Sequence, residues 1–419
     1  MIKAFNISNF KSLRNVHLPL GKLTLLTGAN NSGKSSILYS LLALKNTIAN
    51  PNQSMDACLT LPFINLGGFQ QTVYNKEEDK QIVLEITAAI DEIEVKYALG
   101  MGKISSFLKI TGIKPYQFDA QLDIAFPYPA NKVNGFEFLV KGYKVIYSWN
   151  GVLISNVSKT IALDGMSELE KGILALQAIT NRSEKSIEKE ATYRIFELPI
   201  AELAGMDFVP MRRGFTQPYY AAVPLSSQIV TEEQIATLLA NDRELAGKVA
   251  FYLEKIVQRS FSVYSPPGIS SIYLQTMDRA NGFTADLVNE GLGTNQLVTI
   301  LTKVLQQNNR FICIDEPEIH LHPTIIDKLV AVLIEVAEKE NKQFLISTHS
   351  EHFVNSILKK VVEEQIEHDD VKVYYLDKKG KDTTVELQEI NADGQIRGGL
   401  KNFYATELDN LKTFFKITE

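Results

Sequence analysis

Residues 28–35 combine glycines, a lysine and a serine in the spacing GxxxxGKS, a pattern that suits phosphate binding. The glycines let backbone N–H groups turn toward phosphate oxygens, Lys34 can reach the β- and γ-phosphates, and the Ser35 hydroxyl can ligate Mg²⁺. An apolar run at 23–27 precedes the motif and a helix-like stretch at 36–44 follows it. This context favours a nucleotide site over a Gly-rich turn. The residues expected around the phosphates are Gly28, Asn30, Asn31, Ser32, Gly33, Lys34, Ser35 and Ser36.

Two carboxylates, Asp315 and Glu316, follow the apolar run 311–314, as at the end of a buried strand. Asp315 suits a Mg²⁺ contact, directly or through water, whereas Glu316 can orient and deprotonate a water molecule for attack on a γ-phosphate. A solvated acidic turn is the plain alternative. Because the phosphate-binding loop occurs in the same chain, we predict a metal-binding aspartate and a general base.

A histidine and a second helix N-terminus are the remaining features that could take part in the chemistry. The apolar run 344–346 leads into Ser-Thr-His-Ser, and ligands of open α/β sheets bind at such strand ends. We predict that His349 hydrogen-bonds the γ-phosphate, although a lone histidine there also suits a cap or core position. Residues 290–296 open a helix with glycines and small polar side chains, a second anion-friendly N-terminus. One nucleotide rarely needs two, so this one is expected to face a phosphate bound by another subunit.

The elements that must position these residues follow two patterns. Residues 2–10 alternate like a half-buried strand, and four later segments alternate as strands of an antiparallel accessory sheet: 81–89, 92–99, 136–140 and 144–148. Helices are predicted between residues 166 and 204 and over 232–257. From residue 290, predicted strands at 310–314 and 343–347 alternate with predicted helices at 296–306, 324–338 and 352–360, which is typical of a parallel α/β sheet.

The composition is that of an ordinary globular chain. The 419 residues include 43 Lys plus Arg and 49 Asp plus Glu, so the net charge of −6 argues against attraction of the whole molecule to nucleic acid. Any contact with DNA must use a local basic patch. Two distant cysteines form no metal or redox spacing and fit a reducing compartment. Because we find neither a targeting segment nor a membrane span, we expect a cytoplasmic protein that does not bind membranes.

The four motifs, in this order, resemble those of the ABC-type ATPase heads of the SMC, RecF and OLD group. Residues 28–35 match the Walker A motif, 292–296 resemble the LSGGQ-like signature, 312–316 match Walker B, and His349 matches the switch histidine. The segments at 7–13, 315–323 and 347–350 resemble stand-alone bacterial OLD-like AAA ATPases. The tail at 393–396, followed by Phe403-Tyr404, is similar to a C-terminal extension of some of them.

This resemblance implies an α/β fold: an ABC-type P-loop NTPase head with a mixed or parallel sheet, an antiparallel accessory sheet and a helical insertion. The expected division is an N-terminal ATPase lobe at 1–160, a middle helical region at 161–270 and a C-terminal ATPase lobe at 271–419. The implied cofactors are ATP and Mg²⁺. The implied assembly is a head-to-tail homodimer, or a higher homo-oligomer, in which the signature of one subunit contacts the ATP of the other. The signature residues expected to do so are Gly293, Asn295 and Gln296.

The signature departs from the family pattern because its usual serine is missing, so we expect contact with the γ-phosphate through Asn295 and backbone N–H groups. In similar ATPases an arginine in a segment like 209–214 approaches the nucleotide, and Arg212 is the better match. The alternative, in which both arginines face solvent or a partner, is equally consistent with the sequence.

Two further sets of residues leave alternatives open. His320 and His322, with Glu318, invite a metal site, but their spacing does not put both imidazoles on one helical face. A loop that communicates across the dimer is favoured. Gln70 and Gln71 are candidates for the glutamine that follows the first strands of the family, and a surface loop is as good an interpretation.

The function expected from the motifs and the resemblance is ATP binding and Mg²⁺-dependent hydrolysis. Only about seventy residues follow His349, too few for the Toprim nuclease domain of OLD proteins. We therefore expect a nucleotide-dependent sensor or scaffold that controls a separate effector, a nuclease, in bacterial anti-phage defence. The alternative is a RecF- or SMC-like ATPase in DNA repair or chromosome maintenance, with DNA as a partner. The inserted middle region argues against a transporter ATPase.

Overall fold

A computed structural model describes residues 1–114, 117–129, 134–140, 143–149, 198–226, 228–266, 268 and 271–397. The chain divides into two compact units. The first comprises Met1–Leu20, Tyr39–Gly205 and Lys379–Thr383, and the second comprises Gly21–Leu38, Met206–Lys378 and Thr384–Glu419. Both units are discontinuous in sequence, whereas the sequence-based division used consecutive ranges. That division stays a prediction.

The strands, in chain order, are β1 Ile2–Phe10, β2 Leu13–Pro19, β3 Leu23–Gly28, β4 Thr60–Leu61, β5 Ile64–Asn65, β6 Ile82–Ile90, β7 Ile93–Met101, β8 Ser106–Lys114, β9 Phe118–Ile124, β10 Asn134–Val140, β11 Tyr143–Trp149, β12 Met206–Val209, β13 Tyr220–Ala221, β14 Arg259–Tyr264, β15 Ser271–Asp278, β16 Thr284–Asp286, β17 Phe311–Asp315, β18 Gln343–Ser347, β19 Val371–Lys379 and β20 Asp382–Gln388. The helices are α1 Lys34–Ala49, α2 Met55–Cys58, α3 Gly68–Thr72, α4 at 198–204, α5 Glu232–Asn241, α6 Arg243–Val257, α7 Leu292–Leu305, α8 Pro323–Glu340 and α9 Glu351–Val362.

The first unit is built on an antiparallel sheet in the order β2-β1-β6-β7-β8-β9. In β1, Phe5 and Ile7 are fully buried while Asn6 between them is not, as expected where one face of a sheet is covered. The accessory sheet predicted from 81–89 and 92–99 is confirmed as β6 and β7. The predicted strands at 136–140 and 144–148 are not part of this sheet but pair with each other as a separate two-stranded antiparallel sheet, β10-β11.

The second unit is built on a six-stranded sheet in the order β12-β17-β18-β3-β19-β20. The pairs from β12 through β19 are parallel. Every residue of β3, β17 and β18 is buried, because a parallel sheet covered on both faces needs continuous apolar strands. The predicted α/β class and the alternation of strands and helices after residue 290 are therefore confirmed.

The helices of the second unit begin and end with clear signals. Helix α8 starts with Pro323 at its first turn, capped by His322, and ends at Asn341 in the left-handed region. The Ser350 hydroxyl caps α9 by accepting a hydrogen bond from the Phe353 N–H at 3.3 Å. Among the described residues no helix is both long and apolar enough to cross a membrane.

The middle of the chain contains more than the predicted helices. The pair predicted over 232–257 is confirmed as α5 and α6, and Thr231 starts α5 with a capping box. A four-stranded sheet of β13, β14, β15 and β16 accompanies them, which the sequence analysis missed. The alternation of buried and less buried residues along β15 is the signal that could have found it. The helix predicted at 166–204 lies outside the described residues except for α4.

Candidate nucleotide-binding site

Three neighbouring parallel strands end at the same edge of the second sheet. Asp315, the last residue of β17, is paired with Ser347 at the end of β18, and Ser347 is paired with Leu26 of β3. Strand β3 continues through Gly28 into the lysine loop. Residues predicted from distant parts of the sequence therefore meet at the carboxyl ends of adjacent strands, where open α/β sheets bind ligands.

The loop at 28–35 turns through conformations that favour glycine. Gly28 and Gly33 have φ angles of 132° and 106°, and Asn31 has a φ of 65°. A Cβ on Gly28 would lie 2.2 Å from the carbonyl oxygen of Leu376, so a side chain does not fit there. Successive N–H groups in such turns form concave sites for anions. Asn30 and Asn31 are exposed at the top of the loop.

Lys34 lies inside its own loop, with only 5% of the residue exposed. Its Nζ donates hydrogen bonds to the carbonyl oxygens of Gly28 at 2.8 Å and Ala29 at 3.0 Å. Burial lowers the pKa of the ammonium group, while the nearby Glu316, Asp315 and Glu318 carboxylates act in the opposite direction. The lysine is thus held close to the space that the loop encloses.

A hydroxyl and a carboxylate, whose oxygens are the type of ligand that Mg²⁺ prefers, lie close to that lysine. The Ser35 hydroxyl donates to Asp315 Oδ1 at 3.3 Å, and the Ser347 hydroxyl donates a short hydrogen bond to the same oxygen. Asp315 is only 3% exposed. Hard oxygen ligands of this kind suit Mg²⁺, whose remaining ligands come from phosphates and water. Ser35 and Asp315 therefore fit the predicted metal.

Glu316 has an uncommon backbone conformation, with a φ of 50°. Its N–H donates to the carbonyl oxygen of Ser347 at 3.0 Å, which fastens this residue to the end of β18. The Glu316 carboxylate keeps access to solvent, with 17% of the side chain exposed. His349 is half-exposed, and its Nδ1 lies 3.5 Å from Glu316 Oε1. The predicted base and the predicted phosphate sensor are thus neighbours.

Glu318 is the residue whose importance the sequence analysis missed. Its Oε1 accepts hydrogen bonds from the Thr348 hydroxyl at 2.8 Å and the His349 N–H at 3.1 Å, and lies 3.5 Å from His349 Nδ1. Its buried Oε2 has no hydrogen-bond partner among the described residues. Burial raises the pKa of this carboxyl group. Glu318 therefore orients the histidine segment. In the sequence, the only indication of this role was the spacing of two carboxylates around a proline.

The arginine that bonds to the Asp-Glu segment is Arg213, whereas the prediction named Arg212. Arg212 is exposed. The guanidinium of Arg213 donates to the carbonyl oxygens of Asp315 at 2.8 Å and Glu316 at 2.7 Å. That Arg212 approaches the nucleotide stays a prediction. Two adjacent arginines look alike in sequence, and only the turn after β12 decides which one bonds to the end of β17.

The predicted signature residues are engaged within their own subunit. Asn295 Oδ1 accepts from the Phe215 N–H at 2.7 Å, and its Nδ2 donates to the Phe215 carbonyl at 2.9 Å. Asn295 and Gln296 are buried, which argues against the predicted contact of the Asn295 side chain with a partner's phosphate. The N-terminal turn of α7 remains accessible, with Leu292 59% exposed. A Cβ on Gly293 would lie 2.7 Å from the His320 carbonyl oxygen, so Gly293 packs on the loop that follows Walker B.

The remaining sequence candidates lie elsewhere. In the described part of the chain no group of three His, Cys, Asp or Glu residues is placed to hold a metal ion. The His322 ring instead lies 2.9 Å from the Thr324 hydroxyl at the start of α8. Gln70 and Gln71 are exposed on α3, in the first unit.

Comparisons of the sequence with known proteins identify a family. A sequence profile described as "AAA ATPase domain" matches residues 1–190 and 177–354. An OLD nuclease of Thermus scotoductus is 23% identical over 331 residues, which cover 77% of this chain and 54% of that protein. The chain therefore spans about half the length of this curated relative.

Solved SMC head domains are also similar. One from Thermotoga maritima has 10% identity and a TM-score of 0.44, with 93% of this chain and 99% of that chain covered. A head bound to the C-winged helix domain of ScpA has 13% identity and a TM-score of 0.45, with 93% and 98% covered. A Pyrococcus furiosus head with an extended coiled coil, bound to the C-terminal domain of ScpA, has 13% identity and a TM-score of 0.43, with 99% of both chains covered.

Proposed function

Because this chain belongs to the AAA ATPase domain family, we propose that it binds ATP with Mg²⁺ and hydrolyses it to ADP and phosphate. The observation that carries this proposal is the adjacency of β3, β17 and β18, whose carboxyl ends lead into the lysine loop, the Asp-Glu pair and the histidine. Together these groups supply charge neutralisation, a base and a γ-phosphate contact, which are the requirements of phosphoryl transfer to water.

The loop at 28–35 binds the phosphates in this proposal. Lys34 Nζ already donates to two loop carbonyls. When ATP binds, its phosphate oxygens replace these carbonyl oxygens as acceptors of the Lys34 hydrogen bonds. The phosphates also carry a charge opposite to that of the ammonium group, so electrostatic attraction favours ATP binding. The exposed Asn30 and Asn31 flank the phosphates, and the N–H groups at Gly33, Lys34, Ser35 and Ser36 lie at the start of α1, where the helix dipole favours anions.

Ser35 and Asp315 hold Mg²⁺ in the proposed site. Mg²⁺ bound by these two oxygens would supply the charge neutralisation that phosphoryl transfer to water requires. The Ser347 hydroxyl orients Asp315 by donating to Oδ1. Because Asp315 is nearly inaccessible to solvent, its carboxylate keeps one direction when the metal binds.

Glu316 is the proposed general base. Its carboxylate is reached by water while its backbone is bonded to the end of β18. It takes the proton of the water that attacks the γ-phosphate. His349 lies beside it and is exposed enough to donate a hydrogen bond to the γ-phosphate. The nearby Glu318 carboxylate keeps the imidazole in this place.

A second copy of the chain completes each site in this proposal. The accessible N-terminal turn of α7, with Leu292 and Gly293, presents backbone N–H groups to the ATP of the partner. Two such contacts close a homodimer around two nucleotides, from which a larger homo-oligomer can grow. ATP binding then controls assembly, and hydrolysis reverses it.

The proposed biological role is that of a cytoplasmic sensor or scaffold for a separate effector, a nuclease, in bacterial anti-phage defence. Support comes from the similarity to a protein named OLD nuclease, of which this chain matches about half. Copurification of the chain with the product of a neighbouring nuclease gene tests this role. If the nucleotide controls the complex, a variant that cannot bind ATP should no longer form it.

The ATPase assignment is tested with Glu316→Gln and Lys34→Ala. Glu316→Gln should lower phosphate release by about 100-fold or more while ATP affinity stays within about threefold, because the amide keeps the shape but cannot take a proton. Lys34→Ala should lose ATP binding itself. The control is Lys248→Ala, which removes only an exposed ion pair with Glu244. Phosphate release and nucleotide binding are measured on the same preparations.

Three outcomes would overturn parts of this proposal. Ordinary hydrolysis by the Glu316→Gln protein removes the base assignment. A wild-type chain that binds no ATP removes the function. A Glu316→Gln protein that stays monomeric with saturating Mg-ATP, measured by light scattering, removes the shared site and leaves the single-subunit ATPase.

A further inference from the structure

Arg213 is a partly buried cation whose side chain bonds to backbone carbonyls. Its guanidinium donates to three carbonyl oxygens, those of Pro210 at 3.0 Å, Asp315 at 2.8 Å and Glu316 at 2.7 Å. Its Nε is buried without a hydrogen-bond partner among the described residues. Burial lowers the pKa of this side chain to about 10, against the opposing effect of the Glu318, Asp315 and Glu316 carboxylates. A cation remains in such a place only if its bonds give a compensating gain.

The two Walker B carbonyls that Arg213 binds lie on either side of the Glu316 Cα atom. The carbonyl of Asp315 belongs to the peptide that precedes this atom, and the carbonyl of Glu316 belongs to the peptide that follows it. Holding both peptides restricts the φ and ψ of Glu316, and thereby the direction of the Cα–Cβ bond from which its carboxylate extends. This residue has a positive φ of 50°, which an unrestrained glutamate avoids. The charge-assisted bonds of Arg213 offset that strain.

The segment that carries Arg213 is also bonded to the signature helix. Asn295 of α7 binds both the N–H and the carbonyl of Phe215, two residues after the arginine. Gly214 lies between them with a φ of 118°, and a Cβ there would lie 2.8 Å from Asn295 Oδ1. The connection from α7 to the Walker B end is therefore short and close-packed.

A second bond joins α7 to the strand before this segment. Lys303, near the end of α7, pairs with both carboxylate oxygens of Asp207 on β12 at 2.9 Å and also donates to the Ile229 carbonyl. Asn309 donates to the same carboxylate at 2.8 Å. Strand β12 and the segment at 213–215 are thus each fastened to α7, so a shift of this helix must move the arginine.

We propose that Arg213 is a positioning residue that holds Glu316 in its catalytic direction, and that the Asn295–Phe215 bonds make this direction depend on the signature helix. The inference rests on the proposed ATPase function. In the nucleotide-bridged dimer, α7 contacts the ATP of the partner, whereas Glu316 acts on the ATP of its own subunit. The segment at 213–215 therefore connects the two nucleotides of the dimer.

The test compares Arg213→Ala and Arg213→Lys with the wild type and with Arg279→Ala, which removes an exposed ion pair with Glu254. Arg213→Ala should lower kcat by about 100-fold, the scale expected for a catalytic group displaced by about 1 Å, and leave the ATP dissociation constant within about threefold. Arg213→Lys keeps the cation but replaces two separate guanidinium nitrogens, which bind the Asp315 and Glu316 carbonyls, by a single ammonium nitrogen. Its kcat should therefore lie between those of Arg213→Ala and the wild type. Thermal unfolding of each variant is measured alongside.

The Lys variant keeps the test decisive if Arg213→Ala does not fold. A merely structural role predicts a lower Tm with kcat per folded molecule unchanged in Arg213→Lys, and this result overturns the proposal. So does a large loss of kcat in Arg212→Ala with none in Arg213→Lys. If the wild type hydrolyses no ATP, the proposed function fails instead, so the two failures are distinguishable.

The dependence on the signature helix is tested with Asn295→Asp. The carboxylate still accepts from the Phe215 N–H but cannot donate to its carbonyl, so kcat should fall. In a protein that already carries Arg213→Lys, Asn295→Asp should lower kcat by a factor at least about fivefold smaller than it does in the wild type. The reason is that both substitutions act through one connection. Multiplicative effects on kcat would show that the two residues act independently and would overturn this part.

Discussion

The carboxylate of Glu318 has unequal surroundings at its two oxygens. Oε1 accepts from Thr348 and His349, whereas Oε2 is buried without a partner among the described residues. The hydrogen bonds favour the ionised form, but desolvation is the larger effect and raises the pKa of the group. The folded protein therefore binds the Glu318 proton more tightly than the unfolded chain does.

Glu318→Gln is expected to change the pH dependence of stability. Because the folded-state pKa of the carboxyl is raised, its contribution to stability is fully present below the unfolded pKa and is lost as the pH rises through the folded pKa. Glutamine does not titrate, so the Tm of the variant relative to the wild type should increase from pH 5 to pH 8.

Thermal unfolding across that pH range provides the measurement. The exposed Glu364, replaced by Gln, serves as the control whose difference from the wild type should stay flat. A Tm difference for Glu318→Gln that does not change with pH, or that decreases as the pH rises, would contradict desolvation as the dominant effect on this carboxyl.

At the scale of elements, α7 is the helix on which the site depends. Its start packs on the loop after Walker B through Gly293, its next turn binds the arginine segment through Asn295, and its last turn pairs with β12 through Lys303. The strands bring the Walker residues together, but this helix determines how the loops beyond the strands lie. Small changes at its N-terminal turn should therefore affect the whole protein.

Gly293→Ala should destabilise the fold although alanine is the better helix former. The added Cβ would come within 2.7 Å of the His320 carbonyl oxygen, and overpacking of this kind costs about 1–3 kcal/mol. Gly247→Ala in α6 meets nothing within 4 Å, so it should stabilise by about 0.5–1 kcal/mol. Denaturant unfolding of both variants gives changes of opposite sign. If Gly293→Ala stabilised the protein as Gly247→Ala does, α7 would have to move away from the loop at no cost in free energy, and the prediction would be wrong.

At the scale of the whole molecule, the surplus of acidic over basic residues bears on the choice between effector control and DNA repair. The net charge of −6 disfavours phosphate-backbone binding, which normally supplies most of the affinity for DNA. We expect duplex DNA at low salt to change the ATP hydrolysis rate by less than about twofold. Steady-state phosphate release with and without DNA is the measurement. A strong stimulation that disappears steeply with added salt would instead favour a repair or chromosome role.

The chemistry of the candidate site could be predicted from the sequence because it resides in short runs. The loop 28–35, the pair Asp315-Glu316 and His349 each follow an apolar strand, and the ends of parallel strands must meet. The α/β class was readable for a related reason, since buried parallel strands are continuous apolar runs separated by amphipathic helices. Local patterns of this kind can be recognised in a sequence without knowing which elements pack against each other.

Only the tertiary structure decided which polar side chains serve the site from outside these runs. Arg212 and Arg213 are indistinguishable by type, and the turn between β12 and Gly214 directs the second one to the Walker B carbonyls. Asn295 reads as a phosphate ligand but binds Phe215, and Glu318 reads as a metal ligand but holds His349. These partners lie 31 to 103 residues away along the chain. Spacing along a sequence predicts side chains that share one element, whereas contacts between elements depend on how the elements pack.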